Sequence, residues 1–209
     1  MLTKECARQV LEAIIAIYPD AKPELDFTNH YQLLLAVILS AQTTDVAVNQ
    51  ITPALFDRFP DPQTLSQASP QEIEPYLKTI GLYRNKAKYL HQCAQQLVKD
   101  FNGQVPDNRK DLMSLAGVGR KTTNVVLSVG FGVPAFAVDT HIHRIALHHQ
   151  IVDPGASVRQ VEDRVMEVLP AELWTQAHQS LIYFGRRVCH PRNPQCHHFP
   201  QLYQCQDQE

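Results

Sequence analysis

Apolar residues return along this chain at three- and four-residue intervals, and capping residues mark where each run begins. Thr3 opens the first predicted helix, which runs to about Ala16 ahead of Pro19. The second, roughly Asn29 to Leu39, is apolar nearly all round and belongs in the middle of a core. Thr43 or Thr44 opens a third toward Phe56, which Pro53 is expected to kink or interrupt. Ser69, Pro70 and Glu72 spell a capping box with proline at the first helical position. Tyr83 to Phe101 has helical periodicity and ends at Gly103, a residue suited to a left-handed cap. Short helices follow over Arg109 to Leu115 and Arg120 to Val129, and Asp139 or Thr140 caps another reaching His149. Ser157 with Gln160 caps the next, and Pro170 opens a long helix to Arg187. No period-two run bounded by turns interrupts this series. The expected fold is all-α.

The 209 residues contain neither a repeat nor a low-complexity linker, and Gly130 to Pro134 is the nearest thing to a boundary. Two helical lobes are expected, one over residues 21–132 and one formed by 1–20 together with 133–209, with a cleft between them. The formal net charge of -2 gives no general attraction to polyanions, so any nucleic-acid surface must gather its basic residues locally. Arg84, Lys86 and Lys88 form one such gathering. Arg109, Lys110, Arg120 and Lys121 form a second, and Arg186, Arg187 and Arg192 a third. Short clusters of this kind are commonly solvated helix faces. No secretory signal follows Met1, and the apolar run from Tyr31 to Leu39 is too short to span a bilayer. Five cysteines without a signal read as thiols or metal ligands, with Cys6 and Cys93 as core thiols. The expectation is a cytoplasmic monomer with no membrane partner.

Chemistry concentrates in Leu115 to Arg144, LAGVGRKTTNVVLSVGFGVPAFAVDTHIHR. Gly117 and Gly119 stand in a turn between two helices, where glycine permits unusual backbone angles and close approach of a ligand. The helix that follows has N–H groups suited to a phosphate. A glycine turn needed only for packing would look the same, and the adjacent pair Arg120 and Lys121 leaves both readings open. Lys121 in the first turn is disfavoured as a cation, and burial would favour a neutral, nucleophilic amine; a lysine that simply pairs with phosphate is the commoner case. Asp139 reads equally as a helix cap or as a carboxylate that stabilises developing positive charge.

LAGVGRKTTNVV followed by VDTHIHR resembles the helix-hairpin-helix DNA glycosylases, and closely the bacterial endonuclease III family. Leu39 to Asp45, Ile80 to Tyr83 and the tail from Phe184 to Cys196 are similar to that family too. The resemblance implies a bifunctional DNA glycosylase and abasic-site lyase of base excision repair. Its partner is duplex DNA carrying oxidised or ring-saturated pyrimidines or abasic sites, with the damaged base flipped out for reaction. It implies Lys121 as the Schiff-base nucleophile and Asp139 as its electrostatic partner. It further implies that Gln42 fills the gap left by the flipped base and that Leu82 wedges the opposite strand; from the residues alone, Gln42 reads as a cap and Leu82 as core. Gly117, Val118, Gly119 and Arg120 would hold phosphate, with a monovalent cation at the hairpin. His141 and Arg144 match positions near the site, where a structural role is equally open. Two other functions stand beside this one: a monofunctional mismatch glycosylase, whose relatives generally lack this lysine, and a non-catalytic DNA-binding module.

The chain departs from that pattern twice. Ala116 stands where the hairpin usually has proline. A [4Fe–4S] cluster in this family uses four cysteines separated by six, two and five residues. Cys189, Cys196 and Cys205 fit three of these places while Phe199 occupies the other. His190, His197 or His198 offers a Cys₃His zinc alternative. Phe199 with Pro200, Leu202 and Tyr203 reads instead as apolar packing, so neither cluster nor other metal is expected.

Overall fold

Contacts divide the chain into two units, residues 23–133 and residues 1–22 with 134–209. The structure is a computed structural model and describes residues 1–205. Among the described residues there is no strand, and no helix is long and apolar enough to cross a membrane. The fold is all-α.

Helix α1 (Lys4–Ile17) belongs to the split unit, and the continuous unit begins with α2 (His30–Leu39). Every residue from Leu33 to Leu39 on α2 is buried, as an apolar helix with no polar stripe requires. Each large side chain there contributes roughly 2 kcal/mol on leaving water. Asn29 caps the helix by accepting from the Gln32 N–H at 2.9 Å.

Helix α3 (Asp45–Arg58) runs through Pro53 without ending. Proline removes one backbone donor, but Val48, Ile51, Thr52 and Leu55 are buried around it and hold the helix together. Helix α4 (Pro62–Gln67) was not foreseen, although Asp61 caps it and Pro62 starts it. It and α5 (Pro70–Leu77) pack on α6 (Tyr83–Asp100). In the capping box of α5, the Ser69 N–H and hydroxyl both donate to Glu72 Oε2 at 2.8 Å. Gly103, with φ +74°, ends α6 as expected, and its N–H donates to the Leu97 carbonyl at 2.8 Å.

Helix α7 (Arg109–Ser114) leads into the hairpin and α8 (Arg120–Val125) leaves it. The expected single helix to Val129 instead widens into a π turn over Val126–Gly130. Gly130 lies against Leu33 of α2 there, and a β-carbon on it would come within 2.9 Å of Leu33 Cδ2.

In the split unit α10 (Val158–Val168) and α11 (Trp174–Arg187) each contact both α1 and α9 (Thr140–His148), around Leu11, Ile14, Phe136, Ile145, Val161 and Phe184. Pro170 does not start α11; a single 3₁₀ turn, Ala171–Leu173, intervenes. Cys6, expected as a core thiol, forms a disulfide with Cys205, their Cα atoms 5.5 Å apart. A separation of 199 residues hides that pairing from sequence inspection.

Candidate nucleic-acid interface and catalytic residues

The hairpin is built on α2 and α6. Gly117 has φ +77°, and a β-carbon there would come within 3.0 Å of Tyr89 Cβ and 3.2 Å of Ile38 Cγ2. Gly119 has the extended backbone of an ordinary residue, and a β-carbon on it would meet nothing within 4 Å. Packing therefore explains Gly117 and leaves Gly119 unexplained by the protein itself. Val118 is buried and its N–H donates to the Leu115 carbonyl at 3.1 Å, so it closes the turn. Ala116 supplies a donor that proline lacks. Its N–H donates to Gln96 Oε1 at 2.7 Å, while Gln96 Nε2 donates to the Ser114 carbonyl at 3.0 Å. Gln96 thus clamps both sides of the turn and restores stiffness that the missing ring would have given.

Lys121 lies in the first turn of α8 and is exposed. Arg120 is half-buried beside it. Asp139 caps α9: its Oδ1 accepts from the Ile142 N–H at 2.8 Å. The cap uses one carboxylate oxygen, so capping and a chemical role are compatible at this residue. His141 accepts from Arg144 at 3.0 Å through Nδ1, and burial pushes its pKa down. Arg144 donates to the carbonyls of Cys189 at 2.9 Å and Gly185 at 2.8 Å. It ties α9 to α11 and the loop after it, which is a structural use of the side chain.

Gln42 and Leu82 have φ of +53° and +59°, the left-handed region that side chains other than glycine avoid. Each conformation costs on the order of 1–3 kcal/mol and concentrates where function demands it. Neither side chain repays this by packing: Gln42 is exposed, and Leu82 is 55% exposed rather than core. Lys86 links the two segments. Its Nζ donates to Thr43 Oγ1 at 2.6 Å and its N–H donates to the Leu82 carbonyl at 3.0 Å. Burial lowers its pKa and removes it from the expected surface cluster with Arg84 and Lys88. A separate groove of about 800 Å³, lined in part by His30, Tyr31, Phe101 and Phe131, contains none of these residues.

Residues 35–171 match the family model of the HhH-GPD superfamily base excision DNA repair proteins. Endonuclease III of Bacillus subtilis (strain 168) is 42% identical over 197 residues, covering 94% of this chain and 90% of that one. Endonuclease III of Escherichia coli (strain K12) is 43% identical over 178 residues, covering 85% of this chain and 84% of that one. The chain belongs to the endonuclease III family. A solved non-covalent endonuclease III–DNA complex superimposes with a TM-score of 0.93 at 42% identity, covering 99% of this chain and 97% of that one. A trapped endonuclease III–DNA covalent intermediate matches with the same TM-score and identity.

The family's four-thiolate cluster does not fit the residues present. Cys205 is bonded to Cys6, and Phe199 packs edge-on against Phe184 with ring centroids 6.0 Å apart. Cys189 and Cys196 remain as buried thiols, and a cubane normally needs four. They do lie in a Cys/His cluster that could hold a metal ion, but with His148 and His149 at the C-terminal end of α9. His190, His197 and His198, the histidines suggested by proximity in sequence, are exposed and outside that group. Cys189 accepts a hydrogen bond from Cys196, which holds the Cys189 pKa well below the ordinary thiol range and pushes that of Cys196 up. Sequence inspection missed His148 and His149; their adjacency at a helix end was the available signal.

The two glycines should respond differently to alanine. Gly117→Ala is expected to lose roughly 1–3 kcal/mol in chemical denaturation, from the left-handed backbone and the contact with Tyr89 and Ile38. Gly119→Ala should stay within about 0.5 kcal/mol of the parent protein, because its backbone and surroundings accept a methyl group. Equal losses at both positions would contradict this account.

Proposed function

We propose that the chain is a bifunctional DNA glycosylase and abasic-site lyase that removes oxidised or ring-saturated pyrimidines from duplex DNA in base excision repair. The observation that carries this reading is the lysine in the first turn of α8, directly after the glycine hairpin, in a chain 42% identical to a relative trapped as a covalent intermediate with DNA. In the proposed reaction the Lys121 amine attacks C1′ of the extruded nucleotide. The C1′–N bond breaks, its electron pair leaves with the base, and the base takes a proton. Asp139, held by its cap to Ile142, stabilises the positive charge that develops on the sugar. The attached nitrogen then loses one proton, and opening of the sugar ring, with O4′ taking a proton, leaves a protonated imine between Lys121 and C1′. The imine acidifies C2′; removal of that proton expels the 3′ phosphate and cleaves the strand by β-elimination, and water later frees Lys121. Because Lys121 is exposed, the desolvation that assists an attacking amine comes from the DNA that covers it.

Gly119 with Gly117, Val118 and Arg120 forms the proposed phosphate cradle, with a monovalent cation at the hairpin. Val118 would act through the shape of the turn, since its N–H is engaged. Gln42 and Leu82 are the proposed gap-filling and wedging residues. The exposure of Leu82 in a strained backbone supports this over a packing role. His141 and Arg144 would support the site from within their unit, Arg144 by its ties to Cys189 and Gly185. The proposed domain limits remain 21–132 for the hairpin-bearing lobe and 1–20 with 133–209 for the other. No cofactor takes part in this chemistry, no [4Fe–4S] cluster forms, and the enzyme acts as a cytoplasmic monomer.

Borohydride reduction on duplex DNA containing thymine glycol or an abasic site should trap a covalent adduct with the native protein and none with Lys121→Ala. An adduct of equal yield with Lys121→Ala would remove Lys121 from its role. Asp139→Asn keeps a side-chain cap and should fold normally while losing about 100-fold or more in single-turnover base release. Leu82→Asn places a residue tolerant of left-handed backbone at the wedge. It should match or slightly exceed the parent in thermal stability while processing lesion duplex several-fold more slowly; unchanged turnover would show that Leu82 does not wedge.

A further inference from the structure

Near the C-terminus of α9 four side chains converge that the glycosylase reaction does not use. Ligand atoms of His148, His149, Cys189 and Cys196 all lie within 4.8 Å of one another. His149 is 1% exposed, as are both cysteines, while His148 faces solvent. The two imidazole planes are nearly perpendicular, at 86°, with centroids 4.9 Å apart. Adjacent residues on a regular helix point about 100° apart. His149, however, lies just past the end of α9 with φ -92° and ψ 16°.

His149 is the second observation. Both its ring nitrogens are buried, and the polar group beside the ring is the sulfur of Cys189. A buried imidazole set against a buried thiol, with a second thiol and a second imidazole within reach, has the donor set of a metal site. Phe184 and Tyr203 stand 6.0 and 5.9 Å from its ring centroid, so the environment is aromatic and dry. Arg144 fixes the backbone of one sulfur ligand by donating to the Cys189 carbonyl at 2.9 Å.

We propose that Cys189, Cys196, His148 and His149 form a closed Cys₂His₂ site for a zinc-class divalent cation, stapling the end of α9 to the loop after α11. Two thiolates and two imidazoles match the donor preference of zinc, with metal–ligand distances of about 2.0–2.3 Å. Tetrahedral geometry then sets neighbouring ligand atoms about 3.3–3.8 Å apart. The observed cluster needs to contract by only about 1 Å from its widest separation, within reach of side-chain torsions. Binding releases any thiol protons that remain and leaves the metal's oxidation state unchanged. The site is structural, since all four positions are filled by protein and none is open to substrate. It rests on the reading that no [4Fe–4S] cluster forms here.

Metal analysis of the full-length protein, purified without chelator, should find about one zinc per chain and neither iron nor acid-labile sulfide. Cobalt should replace zinc and give the visible bands of a tetrahedral thiolate complex. Cys196→Ser should abolish that spectrum. His148→Ala, a change at an exposed residue that the folded protein should tolerate, should weaken cobalt binding at least tenfold with circular dichroism unchanged. A protein without stoichiometric metal and without a cobalt spectrum overturns the proposal. So does a Cys189–Cys196 disulfide seen as a two-proton mass loss, or a His148→Ala variant that binds cobalt like the parent. Iron with sulfide would overturn both this site and the clusterless reading. None of these measurements involves DNA, so they stand apart from the borohydride test of Lys121.

Discussion

Burial of α2 on almost every side is the constraint from which the hairpin-bearing unit follows. A helix that must exclude water over Leu33 to Leu39 needs neighbours all around it, and α3, α6, α8 and the π turn supply them. The hairpin and the π turn each approach it through a glycine, where a β-carbon would be crowded. Gly117 rests near Ile38, and Gly130 rests on Leu33. The hairpin and the end of the helix it launches are therefore referenced to one rigid element, and the segment bearing Gln42 leaves that element's C-terminus. Sites on rigid elements hold their geometry better than sites on free loops, and here the rigidity comes from apolar packing.

The same unit carries its strain where packing gives nothing back. Gln42 and Leu82 both hold left-handed backbone while facing solvent. Lys86 lies between their segments, buried, with its amine bonded to Thr43 and its backbone N–H bonded to Leu82. A buried lysine with a lowered pKa is a poor choice for stability alone. Its placement makes sense as a strut: the cost of desolvating one amine fixes the relative position of two strained turns. The net charge of -2 then poses no difficulty, because shape and local donors, rather than a general positive field, present the surface.

How much of this the sequence revealed depended on whether a feature was local. Capping boxes at Ser69 and Ser157, the cap at Thr3 and the left-handed stop at Gly103 are all short-range patterns, and the structure realises them. The all-α class followed from their repetition. Leu82 looked like core because an isolated leucine in an apolar neighbourhood usually is; only its backbone angle and exposure distinguish it. Lys86 looked like surface because nothing local marks a lysine as buried. The π turn after α8 arises from contact with α2, eighty or more positions away in the chain, and no local pattern encodes it. Val118 and Gly119 are adjacent, yet one is engaged in the turn and the other has no packing reason to be glycine.

The C-terminal region shows the same limit in a form that changes the chemistry. Counting cysteines by spacing assigns three of four thiolates to one cluster, but distance in space regroups them. Cys205 pairs with Cys6 at the other end of the chain, and Phe199 fills space against Phe184. The two remaining sulfurs face the two histidines at the end of α9 rather than those next to them in sequence. A loop that does not bring four thiolates to one cluster draws its cohesion from other contacts. The disulfide and the aromatic contact anchor the outer part of the loop. Arg144 and the Cys₂His₂ group anchor the part nearest α9, where both ring nitrogens of His149 are buried. These ties are distributed along the loop, while Asp139 caps the opposite end of α9.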